Sequence, residues 1–242
     1  MSNRLLDRQI RLLQYLTSGA TIFNREPDAP LDPPLRGLDQ ALLHLEARFS
    51  HQKRMEKIAG VLPRTFALLG SRRAAIGRDF AEACPPTDIS RLTNARQFHV
   101  FLVPWWRRRR GRPAYVPDVA ACEVACAAVR AQFDQTRGSA DGAPHARQIR
   151  RHPGVVLLRC KYDIRPLFET EQDAANPIKR DTSLAVTAGR DGEPRILQLA
   201  PAVSALLAVL DDWTDADVFL NTPEAAGVLE ILRDSGLVEA SR

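Results

Sequence analysis

Two cysteines have a spacing that could bring their thiols to one metal ion. Cys122 and Cys126 are four residues apart, which places both on one face of a helix. A zinc site needs further ligands, and neither His99 nor His145 has metal-ligand spacing with this pair. Because apolar residues share the same helical stripe, we interpret both cysteines as small buried side chains. We predict no metal site in this chain.

The histidines form no catalytic motif. They are scattered, and no HxH, HExxH or GxSxG pattern includes them. The stretch GSRRAAIG, which begins at Gly70, lacks the glycine spacing and the Lys-Ser/Thr pair that bind phosphates. A free-standing enzyme is therefore the least favoured of three interpretations, and we predict no catalytic residue and no cofactor. The histidines are His44, His51, His99, His145 and His152.

The densest run of charge follows two tryptophans and allows three interpretations. Its arginines could neutralise nucleic-acid phosphates, contact an acidic peptide or partner face, or form the solvated end of a helix, whose carbonyl groups favour cations. We treat the run as a candidate contact with a partner or an acidic ligand. Its residues are Trp105, Trp106, Arg107, Arg108, Arg109 and Arg110.

The part of the chain that carries this run is predicted to be helical. Apolar residues recur at helical spacing over 4–17 and 37–62, and again in the stretches after Ser71, Asn94 and Pro117. Ser71 and Asn94 are residue types that cap helix N-termini. We therefore predict an all-helical domain over residues 1–135.

A linker and a second domain are expected after residue 135. Residues 134–149 are rich in Gly, Ser, Asp and Ala and lack apolar periodicity, which is typical of a linker. We place that linker at 136–152 and a small domain at 153–242.

The second domain is organised around a predicted hairpin. Thr182, Leu184 and Val186 alternate with polar or small residues, and a second β-type run covers 195–199, beyond a turn at 189–192. The β-prone residues 154–160 could supply a third strand, because two strands alone are marginally stable.

Two or three short helices are predicted after the hairpin. Pro201 suits the first turn of one helix and Pro223 that of another. The second should stop at Gly236, where Leu237 can pack back on Leu232 as in a Schellman ending. The whole chain is therefore predicted to be α+β: an all-helical domain, then a winged-helix-like domain with a three-stranded antiparallel sheet plus three helices.

Composition limits the compartment and the partners. The 242 residues include no 18-residue apolar run, and the N-terminal residues carry charges where a signal peptide is apolar, so we expect a soluble cytoplasmic protein without membrane contact. The net charge of +5 is unevenly distributed: residues 1–150 hold 24 basic and 14 acidic residues, and 151–242 hold 10 and 15. A basic pI by itself is weak support for nucleic-acid binding.

Charge favours a peptide over DNA as the ligand of the second domain. The last predicted helix offers Arg233 against Glu224, Glu230 and Asp234, and phosphates would be repelled. A peptide strand added beside 195–199 needs no positive face, because its backbone hydrogen bonds supply affinity. A DNA-binding transcriptional regulator that uses Arg107–Arg110 is the alternative. The candidate peptide-binding residues are Arg195, Ile196, Leu197, Gln198, Leu199, Leu229, Leu232 and Arg233.

The second domain resembles the PqqD-like recognition element of ribosomally made natural-product (RiPP) pathways. The resemblance lies in the apolar strand, in Leu199-Ala200-Pro201 opening a helix, in Asp212-Trp213, and in Leu232 through Val238. Members of that family hold the leader of a precursor peptide as an added strand.

The preceding half resembles a family once labelled "putative DNA-binding", whose members are partners of multinuclear non-haem iron oxidative enzymes. The matching segments are 61–70, Phe80 with 85–86, Phe98 with 101–102, 113–120 with Glu123, 152–159 and 162–163. The two resemblances together span most of residues 35–238.

These resemblances imply a non-catalytic accessory protein. It would form a heterodimer with the iron enzyme, bind the precursor-peptide leader and present a residue, often cysteine, for oxidation. The iron would belong to the partner enzyme. The long N-terminal extension and the Trp-Trp-Arg run depart from the family, so the pathway stays open; carboxy-terminal cysteine excision in the thiaglutamate pathway is one possibility.

Overall fold

The computed structural model of the chain describes residues 2–25, 30–136, 148–169, 176–218 and 223–241. The chain forms two compact units, Met1–Ala120 and Ala121–Arg242. Helices and antiparallel sheets occur together, which fits the predicted α+β class. The division between the units lies inside a helix, whereas the sequence placed the boundary after residue 135.

The first unit contains helices and no strand in its described residues, as its apolar periodicity indicates. No helix in the described ranges has the length and apolar character needed to span a membrane. The helices are α1 (Ser2–Thr17), α2 (Gly19–Ile22), α3 (Gln40–Val61), α4 (Pro63–Leu69), α5 (Arg73–Ala83), α6 (Arg91–Arg108) and the beginning of α7 (Val116–Thr136).

The structure corrects two predicted helix starts. Ser90 caps α6, because its hydroxyl accepts the N–H of Thr93 at 3.3 Å. Asn94, predicted to be that cap, instead lies in the first turn of α6 and is buried. Similarly, Ser71 lies in a short 3-10 turn, and α5 begins after Arg72.

An aromatic cluster forms the centre of the first unit. Phe80 of α5 meets Phe98 of α6 edge to face at 5.1 Å between ring centroids, and Phe66 lies 5.3 Å from Phe98. Leu102 is also fully buried, so this face of α6 points into the core.

One arginine links α3 to α6 and to the loop before it. The guanidinium of Arg54 donates to Asn94 Oδ1 at 2.7 Å, to Gln97 Oε1 at 2.6 Å and to the Cys84 carbonyl at 2.7 Å. It also lies 4.4 Å above the Phe80 ring centroid. This network fastens three elements that are distant in sequence.

The second unit combines two antiparallel sheets with helices. One sheet has the order β2-β3-β4 and the other β5-β1-β6. The strands are β1 (Gln148–Arg151), β2 (Val156–Asp163), β3 (Ile178–Ala188), β4 (Pro194–Leu199), β5 (Thr214–Asp215) and β6 (Val238–Ala240); the helices are α8 (Pro166–Glu169), α9 (Pro201–Val209) and α10 (Pro223–Asp234).

The first of these sheets contains the predicted hairpin. β3 pairs with β4 from Ser183↔Leu199 to Ala188↔Pro194. The connecting turn closes through the N–H of Gly189 to the Glu193 carbonyl at 2.7 Å. Gly192 has φ +82° and lies against the Phe133 ring, so a glycine suits it for both conformation and space.

The second sheet was not predicted. Residues 148–151, at the end of the expected linker, form β1, which pairs with β5 on one side and β6 on the other. The expectation of one three-stranded sheet is therefore incomplete, since the described residues hold two.

Apolar side chains join the two sheets and helices α9 and α10 in one core. Ala185 and Leu199 from the β2-β3-β4 sheet share a cluster with Leu207 of α9, Leu232 of α10 and Val238 of β6. Helix α10 ends as predicted: the Leu237 N–H donates to the Leu232 carbonyl at 2.8 Å, and that of Gly236, at φ +70°, donates to Arg233 at 2.9 Å.

Candidate functional site

Strand β4 is an edge strand. It pairs with β3 along its whole length, and no strand in the described ranges pairs with its other side. An edge of this kind presents unpaired backbone N–H and C=O groups that can bond another extended chain. The predicted peptide-binding residues Arg195, Ile196, Leu197, Gln198 and Leu199 all lie on it.

The ladder register identifies the backbone groups that face outward. Opposed residues of an antiparallel pair alternate between bonded and non-bonded positions. Gly189 and Glu193 are bonded, so Arg195, Leu197 and Leu199 use their amide groups toward β3. The amide groups of Ile196 and Gln198 then point to the open edge. The backbone nitrogen of Pro194 also faces the open edge, so its lack of an N–H removes no hydrogen bond between β3 and β4.

The side chains of β4 divide between the two faces of the sheet. Leu197 and Leu199 contribute to the core that includes Leu229 and Leu232, so the structure brings these four predicted residues together. Leu199 and Leu232 are only 6% and 5% exposed, and they support the strand rather than present a surface to a ligand. Gln198 is exposed on the opposite face.

Helix α10 presents charged and apolar residues outward. Arg233 is exposed and lies 3.8 Å from a carboxylate oxygen of Glu230 and 3.9 Å from one of Asp234, so its charge is locally balanced. Val228 and Ile231 are 40% and 65% exposed. Sequence patterning does not single out these two residues, because the inward stripe of Leu229 and Leu232 accounts for the helical periodicity.

Cys122 and Cys126 lie on the part of α7 that belongs to the second unit. Cys122 is fully buried, and the hydrogen bond that its thiol donates to Cys126, together with burial, raises the pKa of Cys122 well above its usual value. The thiol therefore stays protonated, which suits an apolar contact better than metal ligation. Within the described residues, no group of three or more His, Cys, Asp or Glu side chains is arranged to hold a metal ion.

The Trp-Trp-Arg run divides into a buried part and an exposed part. Trp105 and Trp106 are 3% and 2% exposed, so their rings belong to the core of the first unit and present almost no surface to a partner. Trp105 Nε1 donates to Asp79 Oδ2 at 2.8 Å, and Trp106 Nε1 donates to the Pro113 carbonyl at 3.0 Å.

The four arginines of the run are exposed, but one is already paired. Arg109 donates to Asp79 Oδ2 at 2.8 Å and lies 4.9 Å above the Trp105 ring. A ligand of this surface would therefore meet Arg107, Arg108 and Arg110 at the end of α6.

No protein-family model matches this sequence, and a comparison with curated proteins gives no match either.

Proposed function

We propose that this chain is a non-catalytic protein that binds an extended peptide by adding it as a strand to the open edge of β4. The observation that carries the proposal is the outward direction of the amide groups of Ile196 and Gln198 on an edge strand whose other side is fully paired. Strand addition uses such groups for affinity and alternate side-chain positions for selectivity.

The packing beneath β4 supports a stable docking edge. Leu197 and Leu199 fasten the strand to α9 and α10 through the shared core. A peptide therefore meets a strand that is already ordered, which reduces the entropy lost on binding. The order of hairpin, helix and final helix supports a winged-helix-like arrangement for this part of the chain.

The peptide is proposed to be the leader of a ribosomally made precursor, and the chain to present it to a multinuclear iron oxidative enzyme that modifies a residue such as cysteine. This finer proposal rests on the sequence resemblances described above. Under this proposal, the iron and every catalytic group belong to the partner enzyme of a heterodimer.

The local charge on α10 supports a peptide more than a nucleic acid. Arg233 is shared between Glu230 and Asp234, so the exposed surface of the helix carries a net negative charge. A recognition helix in the DNA major groove requires the opposite balance.

The binding edge is tested by selecting displayed linear peptides on the full chain and following hydrogen exchange with an enriched peptide. We expect slower exchange at the amides of Ile196 and Gln198. Protection at the outer edge of β2 instead, or failure to enrich any peptide, would overturn the proposed site.

The accessory role is tested by reconstitution. The purified chain is combined with a candidate multinuclear iron enzyme and a short cysteine-containing peptide, and the peptide mass is followed. Modification should require both proteins, and turnover by this chain with ferrous iron alone would overturn the non-catalytic assignment.

A further inference from the structure

The first unit contains a pocket of about 250 Å³ that the proposed peptide site does not use. Leu16 and Ile22 line one side of it, α3 forms another, and the segment between α5 and α6 contributes Pro86 and Ile89. Ile89, which also lines the pocket, is 88% exposed.

The wall formed by α3 is cationic. Lys53, Arg54 and Lys57 line the pocket at spacings of one, three and four residues, and side chains three or four apart share a helix face. The one carboxylate among the lining residues belongs to Asp88, and it accepts the N–H of Ser90 at 3.2 Å. Three cationic residues therefore line the pocket with one carboxylate that is already hydrogen-bonded, and the ammonium group of Lys53 lies 4.1 Å from the Phe49 ring centroid.

Arg54 is the most unusual of these cations. The three groups that accept its hydrogen bonds are neutral oxygens of Asn94, Gln97 and Cys84. In the described part of the chain no carboxylate lies within ion-pair distance of it. Burial lowers the pKa of Arg54 to about 10, because a positive charge that is removed from water without a counter-ion is unfavourable. A guanidinium has five N–H donors, so two are left after these three bonds.

His51 does not change this balance at neutral pH. Burial, and then the neighbouring charge of Arg54, lower the pKa of His51, so the ring is neutral. The excess of positive charge in the pocket therefore comes from Lys53, Arg54 and Lys57.

We propose that this pocket binds a small organic carboxylate with an apolar body. The carboxylate would face Arg54, Lys53 and Lys57, and the carbon chain would lie against Leu16, Ile22 and Ile89. At about 30 Å³ for each water-sized group, the 250 Å³ pocket has room for roughly eight heavy atoms. The pocket contains no residue of strand β4. A negative result for the pocket would therefore leave the proposed peptide site unaffected, and a negative result for the peptide site would leave the pocket unaffected.

The test is a titration of the full chain, followed by amide chemical shifts, with hexanoate and with its neutral analogue hexanamide. We expect hexanoate to shift the amide signals around Arg54 and Ile89, and hexanamide to bind at least about tenfold more weakly, as expected for a charge-assisted contact worth about 1.4 kcal/mol. Equal binding of the two compounds, or no shift at these residues, would overturn the proposal.

Two variants distinguish hexanoate binding in the pocket from a general attraction to the positive charge of the protein. Lys53 and Lys57 are exposed, so the double substitution Lys53→Ala and Lys57→Ala should leave the fold intact and weaken hexanoate binding several-fold. Lys179→Ala, which removes one exposed lysine in the second unit, is the matched control and should have no effect. Unchanged hexanoate affinity in the double variant would also overturn the proposal.

The same carboxylate chemistry is found in free acids and at the C-terminus of a peptide. A second arm therefore compares the acetylated dipeptide Ala-Leu as its free acid and as its amide. If the dipeptide acid binds more tightly than hexanoate and its amide does not bind, the pocket accepts a peptide terminus. If hexanoate binds more tightly, the ligand is a free acid.

Discussion

Ile196 lies directly opposite Val186 in the β3–β4 ladder, at a pair whose residues exchange no hydrogen bonds with each other. Its N–H and C=O therefore point away from β3, as do those of Gln198 two residues later. The neighbouring Leu197 points the other way and bonds Ala185 across the ladder. This alternation decides which substitutions can separate peptide binding from folding.

A proline at position 198 should abolish peptide addition and spare the fold. Gln198→Pro removes an outward N–H from an exposed residue, whereas the control Gln198→Ala keeps it. We expect the affinity for an enriched peptide, measured by fluorescence anisotropy, to fall at least about tenfold in the proline variant only. Leu197→Pro should instead unfold the second unit, because it removes a ladder bond. Equal affinity of the two position-198 variants would contradict the edge-strand site.

Replacement of Asn94 should destabilise the first unit. Its side chain accepts from Arg54 at 2.7 Å and donates to the carbonyls of Asp88 and Ser90 at 2.8 Å each. Asn94→Ala leaves a half-buried guanidinium short of an acceptor, and we expect a loss of about 2–4 kcal/mol in urea unfolding. Arg91→Ala, an exposed change on the same helix, should cost under about 0.5 kcal/mol. Similar stabilities of the two variants would show that the network contributes little.

Asp163 should make the second unit acid-sensitive. Its carboxylate accepts two hydrogen bonds from Arg165 and one from Arg180, at 2.7–2.9 Å, and the Arg165 bonds hold the pKa of Asp163 below its usual value. A lowered folded-state pKa gives stability that is present above the ordinary carboxyl pKa of about 3.9 and is lost as the pH falls through the folded value.

The variant Asp163→Asn should therefore lose about 2 kcal/mol at pH 7 and progressively less below pH 4, where the wild-type carboxylate itself becomes protonated. Urea unfolding at several pH values measures this difference. Asp181→Asn changes an exposed carboxylate on the neighbouring strand β3 and serves as the control. A difference from wild type that does not depend on pH would exclude the ion pairs as its cause.

Replacing each of two glycines near the end of the chain by alanine should change the free energy of unfolding in opposite directions. Gly236 has φ +70°, and alanine there costs about 1–2 kcal/mol. Gly227 lies inside α10, where an added Cβ meets no described atom within 4 Å, so Gly227→Ala should stabilise by about 0.5–1 kcal/mol. Thermal unfolding of both variants measures the effects. Destabilisation by Gly227→Ala would mean that this face of the helix is covered.

The arginine run should not act as a specific DNA reader. Arg109 is already paired with Asp79, and the remaining arginines give only sequence-blind attraction. We expect duplex DNA to bind with a Kd of about 10⁻⁶ M or weaker at physiological salt, and triple replacement of Arg107, Arg108 and Arg110 by alanine to reduce even that. Sequence-specific binding near 10⁻⁸ M would favour the regulator alternative instead.

Local chemistry made parts of the fold predictable. The turn at 189–192, Pro201 and Gly236 each fix a backbone conformation within a few residues, and the structure has the hairpin, helix α9 and the end of α10 where the sequence placed them. Each of these signals acts on its own neighbours and needs no distant partner.

Features that depend on distant partners were not predictable. Gln148–Arg151 looks like the end of a linker because its strand partners are supplied by β5 and β6, far along the chain. The contact of Arg54 with Asn94 joins residues 40 apart. Ser90 and Asn94 are both good capping residues four positions apart, so local preference could not choose between them.

The strand that forms the candidate site could be predicted from the sequence, but the direction of its individual backbone amide groups could not. The β-type run from Arg195 to Leu199 indicated a strand, while its place at an edge depends on which strands pair with each other. The burial of Trp106 was hidden by the arginines that follow it, since a charge run suggests an exposed surface.

The sheet β5-β1-β6 sets an order for folding during synthesis. Its central strand β1 bonds β6, and Arg150 pairs with Glu239, 89 residues later. Until β6 has emerged from the ribosome, β1 has only the two-residue β5 to pair with, and the side chain of Ile149 lacks part of its cover. Such long-range pairing is slow and leaves apolar surface open in the meantime. The growing chain is therefore most vulnerable to aggregation and proteolysis between the synthesis of β1 and that of β6.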